Sequence, residues 1–317
     1  MALSDDYPNL DDETIRLLTE LTEGDPVDIT SLSRNEARAM ALEYLSMMAG
    51  SWTPPECSVI PIDLPGPASG LLIRPKSRPP AKAPLVIWFH GGGWIFGSAA
   101  LHAAYGCEYA ARANCLLAEV DYPLSPETRG QELIDICVAS AREIIRRHQI
   151  SAEGYFGIGV KKRPIILGGE SAGATLALFV GLALGSDMVD KIVVANPLVD
   201  FRPGVDYPSR SKFDDARLMQ SWPEFGWFIE QFAAEQDRRR LSVIVSPIRG
   251  MPKTSVVVGE YDMLLDEANA CVDVISAAGF AAETIMIRGA IHNSIELGPN
   301  TAAGERFIAA ISDRLSI

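Results

Sequence analysis

One pentapeptide constrains this chain more than any other segment: Gly169-Glu170-Ser171-Ala172-Gly173, which follows the apolar run Pro164-Ile165-Ile166-Leu167 and leads into the apolar stretch from Ala172 to Leu184. The first run reads as a strand and the second as a helix, so the pentapeptide is a sharp strand-to-helix turn with a serine at its apex. A serine hydroxyl is a poor nucleophile unless the backbone holds it in the open with a base beside it. A turn of this kind supplies the first condition. The rest of the chain has to supply the second.

The surrounding pattern sets the fold class. Strands are expected at Cys57 to Leu64, Gly70 to Arg74, Pro84 to Phe89, Cys115 to Val120, Lys191 to Ala195, Thr254 to Val258 and Ala282 to Ile287. Helices are expected at Pro126 to His148, Ala172 to Leu184, Leu264 to Ala278 and Thr301 to Leu315. Several strands are apolar throughout rather than alternating, which indicates a sheet covered on both faces and joined by crossover helices. The expectation is an α/β chain with a mostly parallel central sheet.

Two segments stand outside that rhythm. Asp11 to Leu21 is a short amphipathic helix, and a second starts at the capping box Ser33/Glu36 and stops at Gly50; both precede any strand and are candidates to lie over the sheet. Residues 200–248 interrupt the later strands with the helical pattern Trp222, Phe225, Ile229 and Phe232. An aromatic stripe of this kind fits either a core-facing helix or the underside of a lid. The expected division is 1–50 for the leading helices, 51–199 and 249–317 for the two parts of the core, and 200–248 for the insertion.

Charge and cysteines exclude several classes. The formal net charge of −13 opposes binding to nucleic acid or anionic lipid, both of which need basic patches. Five scattered cysteines without a CxxC pair suggest neither a disulfide framework nor a zinc site. No run approaches the roughly 20 apolar residues of a membrane span, and no basic segment followed by an apolar one opens the sequence. A cytoplasmic protein is the expectation. His90-Gly91-Gly92-Gly93 has neither the dinucleotide fingerprint nor the lysine of a P-loop, and no cofactor or metal is expected.

Three consecutive glycines after a strand are best tolerated where backbone approaches a ligand or adopts positive φ. Beside an activated serine they read as an oxyanion hole, with the N–H groups of Gly91 and Gly92 joined by that of Ala172. The chain has four histidines. His148 sits at a helix end among arginines, His90 is committed to the glycine turn and His102 is expected on a flexible loop, which leaves His292, in the turn before the last helix, as the base. For the orienting acid Asp262 is preferred, in the loop after the strand Thr254 to Val258; Glu260 and Asp266 compete with it.

Taken in order, His90-Gly91-Gly92-Gly93-Trp94, Asp121-Tyr122-Pro123-Leu124-Ser125-Pro126-Glu127, Gly169-Glu170-Ser171-Ala172-Gly173 and Asp262 with Leu264, Leu265 and Asp266 resemble the hormone-sensitive-lipase-like group of α/β-hydrolases, mostly carboxylesterases acting on small esters. The resemblance implies Ser171, Asp262 and His292 as a triad, Gly91, Gly92 and Ala172 as the oxyanion hole, and a two-part cap made of the leading helices and residues 200–248. It also implies supporting bonds from Glu170. The family's local salt bridge to Glu127 is left open, because Pro123 stands where the family commonly has arginine. Pairing through the edge of the last strand, Ala282 to Ile287, would give a homodimer. Trp94, Phe96, Trp222 and Phe225 are the candidate pocket residues and point to an apolar ester of modest size. Lactone hydrolysis, acyl transfer or cyclisation on the same serine, or a non-catalytic receptor, are the alternatives.

Overall fold

In the computed structural model, which describes residues 2–23, 28–77, 83–150 and 163–316, eight strands form one sheet in the order β1-β2-β4-β3-β5-β6-β7-β8. They are β1 (Cys57–Asp63), β2 (Ser69–Pro75), β3 (Leu85–Phe89), β4 (Leu116–Asp121), β5 (Ile165–Glu170), β6 (Lys191–Ala195), β7 (Lys253–Gly259) and β8 (Ala282–Ile287). β1 with β2 and β2 with β4 pair antiparallel; every pairing from β4 to β8 is parallel. All five residues of β3 are buried, as its unbroken apolarity requires of a strand covered on both faces.

The helices are α1 (Leu3–Asp6), α2 (Asp12–Leu21), α3 (Arg34–Ala49), α4 (Ala99–Arg112), α5 (Gly130–Ile150), α6 (Ala172–Leu184), α7 (Pro208–Lys212), α8 (Trp222–Phe232), α9 (Leu265–Ala277) and α10 (Ala302–Leu315). Start signals act as the sequence suggests. Asp11 caps α2 by accepting from Thr14 N at 3.0 Å. Ser33 and Glu36 form a reciprocal box at the head of α3. α5 begins at Gly130 rather than Pro126: a turn with a cis Ser125–Pro126 bond comes first, and Gly130 enters at φ +57°.

α4 overturns one expectation. His102, placed by its sequence on a flexible loop, is buried in this helix, which is capped by Ser98 Oγ accepting from Leu101 N at 3.2 Å. Gly106 in mid-helix masked the signal. A Cβ there would collide with Ile73 of β2 at 2.5 Å and lie 3.0 Å from Glu119, so the glycine marks close helix-to-sheet packing rather than a break.

The core lies on both faces of the sheet. α5, α6 and α9 share one large buried cluster, and α4 and α10 seal the other. A small third cluster, Ile29, Ala37, Ile95 and Phe96, joins the leading segment to the loop after β3. Residues between β6 and β7 carry α7 and α8 and are tied down by a buried ion pair: Glu267 at the head of α9 accepts from Val199 N, Asp200 N and Arg210 Nη2, the last at 2.6 Å. Among the described residues no helix is long and apolar enough to cross a membrane.

Candidate active site

The parallel strands end along one edge, and open α/β sheets place their ligands outside that carboxyl edge. Ser171 follows β5 there with φ +51° and ψ −117°, a conformation that costs energy for a residue with a Cβ and persists only where its surroundings enforce it. The flanking glycines are part of that enforcement. A Cβ on Gly169 would strike the Gly173 carbonyl at 2.5 Å and the Phe89 oxygen at 2.7 Å, and one on Gly173 would run into the carbonyls of Phe89 and His90. Ala174 is fully buried in the core.

His292, in a 3-10 turn beyond β8, brings its Nε2 to 3.0 Å from Ser171 Oγ, and its Nδ1 lies 2.9 Å from Asp262 Oδ2. Because the carboxylate can only accept, Nδ1 carries the proton and Nε2 keeps a lone pair for the serine hydroxyl. Asp262 is fully buried and its other oxygen accepts from Leu264 N at 2.8 Å. Burial alone would lower the basicity of His292, but the charge of Asp262 and its hydrogen bond, with Glu296 adding to them, outweigh it and raise the imidazole above its ordinary 6.5.

The competing acids have other partners. Glu260 accepts from Asn9 Nδ2 at 2.9 Å and from Gly289 N at 2.8 Å, and Asp266 accepts from Ser209 N at 2.8 Å. Asn196, absent from the sequence-based candidates, joins the strand ends: its Nδ2 donates to His292 O at 2.8 Å and its Oδ1 accepts from Gly259 N at 3.1 Å. A positive φ of 45° right at the end of β6 is its structural mark, and nothing in residue spacing announces it.

The glycine turn departs from expectation at one position. Gly91 N donates to Glu170 Oε1 at 3.0 Å, so that N–H is committed to a buried carboxyl and is withdrawn from the expected oxyanion set. Gly92 and Gly93, at φ +102° and +59°, and Ala172, the first residue of α6, have backbone N–H groups with no partner among the described residues. Glu170 also accepts from Trp88 Nε1 at 2.9 Å; burial and the neighbouring Glu296 push its carboxyl up to about 8 despite these two donors. His90 is fully buried, donates from Nδ1 to Gly91 O at 2.8 Å and stacks on Tyr122 at 4.2 Å; burial lowers its pKa to about 4.

Of the four expected pocket aromatics, Phe225 meets the His292 imidazole, edge on with centroids 5.1 Å apart. Trp94 lies inward. It has no exposed surface and stacks on Phe232 at 4.4 Å, anchoring the glycine loop from beneath. Phe96 packs into the small cluster with Ile29 and Ala37, and Trp222 lies between the Arg210 guanidinium at 4.1 Å and Phe225. Phe228 lies against the glycine turn: its ring is 2.7 Å from where a Gly93 Cβ would be. Glu127 finds its cations in α3, accepting from Arg38 Nη2 at 2.8 Å and Arg34 Nη1 at 2.9 Å, which settles the partner left open by Pro123.

This sheet, with a serine at the turn after β5 and a histidine and aspartate after β8 and β7, is matched by the family model for the alpha/beta hydrolase fold over residues 86–296, and the chain belongs to that family. Its sequence is 26% identical over 276 residues to the carboxylic ester hydrolase LipN of Mycobacterium tuberculosis, covering 81% of this chain and 71% of LipN. It is 26% identical over 254 residues to the esterase LipI of the same organism, covering 76% of each. The hyperthermophilic esterase from the archaeon Pyrobaculum calidifontis has the same fold, with a TM-score of 0.83 at 22% identity over 96% of this chain and 97% of that one.

Proposed function

We propose that this chain is a serine carboxylesterase of the hormone-sensitive-lipase-like group, acting on small apolar esters through an acyl-serine intermediate. The observation that carries the reading is the unbroken line Asp262–His292–Ser171, at 2.9 and 3.0 Å, together with the amides of Gly92, Gly93 and Ala172, which have no partner among the described residues. Relatives named as ester hydrolases support it.

In the proposed reaction His292 Nε2 takes the Ser171 proton as Oγ attacks the ester carbonyl. The oxyanion is held by the N–H groups of Gly92, Gly93 and Ala172, the last lying at the positive end of the α6 dipole. Asp262 stabilises the imidazolium, which then protonates the leaving alcohol. Water, activated by His292 in turn, releases the acid. The leading helices and residues 200–248 form the cap, and Phe225 and Phe228 of α8 bring the apolar wall within reach of the reacting centre, which favours short acyl groups. A homodimer pairing β8 edges fits the position of β8 at the end of the sheet and its exposed Met286.

A series of p-nitrophenyl esters of increasing acyl length tests the reading. Turnover of the short members is expected, falling as the acyl chain lengthens. Ser171→Ala should lower kcat by roughly 10⁴-fold or more while circular dichroism stays unchanged; undiminished turnover in that variant would remove the assignment.

A further inference from the structure

The glycine turn is held partly by its own bonds and partly from outside. Gly92, Gly93 and Trp94 follow one another at φ +102°, +59° and +64°, and a tryptophan in the left-handed region is sparsely populated unless its surroundings enforce it. Several contacts enforce it. Ile95 N and Phe96 N both donate to Gly92 O, at 3.0 and 2.8 Å, and Ser125 N donates to Trp94 O at 2.8 Å. The carbonyl that closes the turn, Ile95 O, accepts from Arg38 Nε at 3.1 Å.

The same guanidinium donates from Nη2 to Ser125 O at 2.9 Å and grips Glu127 with Nη1 and Nη2 at 2.9 and 2.8 Å. One planar group therefore ties the glycine turn to the second loop that braces it, and it does so from α3. Arginine suits this place because its fork presents several donors in fixed directions, which a lysine ammonium cannot do. Hydrogen bonds from Arg38 hold the carboxyl of Glu127 down at about 2, so the clasp stays charged throughout the neutral range. On the same helix Ala37 packs with Ile29 against Ile95 and Phe96.

We infer that Arg38 is a positioning residue for the oxyanion hole, so that seating α3 on the body of the protein and aiming the amides of Gly92 and Gly93 are a single event. This rests on the esterase reading above. It goes beyond it by giving the leading helices a part in transition-state stabilisation as well as in enclosing the substrate. Arg38 touches no reacting atom; it acts through the carbonyls of Ile95 and Ser125.

The test compares wild type with Arg38→Ala, Arg38→Lys and Glu127→Gln, measuring kcat and KM on p-nitrophenyl acetate and inhibition by an aryl trifluoromethyl ketone, whose serine adduct carries the oxyanion. Arg38→Ala is expected to lower kcat on the order of 10-fold to 100-fold, to change KM less than about threefold, and to weaken the ketone in step with kcat. Arg38→Lys should recover part of both. Glu127→Gln should lose least, because the bonds to the carbonyls remain. A variant at Arg38 that lowers the melting temperature but keeps kcat and ketone inhibition within about twofold of wild type would overturn the proposal. If Arg38→Ala does not fold, the lysine variant decides by the same criterion. Amide hydrogen exchange over residues 90–96, which needs no turnover, is expected to quicken in the Arg38 variants; unchanged exchange there would also overturn it, whether or not the ester series is hydrolysed.

Discussion

Ser171 is approached on one side by the turn after β3 and on the other by the loops after β7 and β8, and the two sides are built by different means. The turn after β3 is a backbone device: its amides are aimed by successive left-handed residues, and its fixings come from the cis-proline loop, from Phe232 and from α3. The loops carrying Asp262 and His292 are a side-chain device, locked by Asn196, by Asp262 itself and by Ser294 Oγ accepting from Ile291 N at 2.9 Å. Glycine gives the first loop its shape, although each glycine loses more entropy on ordering than any other residue. The second has its hydrogen bonds inside the core. A stabilising interaction placed on the first loop should therefore alter rate, whereas one placed on the second should alter both rate and proton affinity.

The contrast breaks most sharply at Gly92. A Cβ there would lie 2.5 Å from Phe96 O at φ +102°, so Gly92→Ala should tilt the turn and cost kcat about 10²-fold to 10³-fold, the range seen when an oxyanion donor is lost. The pH of half-maximal activity should stay where it is, because no group of the triad is touched. Steady-state kinetics across pH in this variant would show whether shape and proton affinity separate.

Asn196→Ala probes the other side. It frees the His292 carbonyl and leaves the Gly259 N–H without its acceptor. A loss in kcat on the order of 10-fold to 100-fold is expected from misplacing the imidazole, accompanied by a move of the acid limb. A variant with full rate and an unmoved limb would show that the strand ends hold His292 without it.

The smallest expected effect is the pH profile of the wild type. His292 is raised above 6.5 by Asp262 against the opposing pull of burial, so the base form accumulates late, and activity should fall on the acid side with a midpoint above 6.5. The other histidines stay neutral there: burial lowers His90 and His148 to about 4 and His102 to about 3. Stability runs the other way. A histidine whose pKa is raised on folding contributes stability that is complete below its unfolded value and is lost as pH rises through the folded one. The titration that switches the base on thus removes part of the stabilising ion pair, and thermal melts between pH 6 and 9 should show that contribution shrinking.

Much of this was legible in the sequence. The apolar runs mark the buried strands, and α6 and β8 fall where periodicity and punctuation place them. Ser171, Asp262 and His292 meet because each follows a parallel strand, and chain order suffices to find such ends. What escaped depends on direction rather than spacing. Whether Gly91 or Gly93 offers its amide to the site is decided by a few torsion angles and by Glu170 claiming the first. Trp94 reads as a candidate wall residue, and its positive φ and full burial are visible only in the structure. Arg38 lies 89 positions from Glu127, a distance over which no local pattern carries information.

The first residues of the chain also reach the catalytic edge. Asn9 donates from its backbone to Tyr261 Oη at 3.1 Å and from its side chain to Glu260, while Arg288 Nη2 donates to its Oδ1 at 2.8 Å. Tyr7 Oη donates to Asp215 in the insertion at 2.8 Å. Removing Tyr7 and Asn9 would consequently break bonds to the insertion and to the loops of the acid and the base, far along the chain from the residues removed.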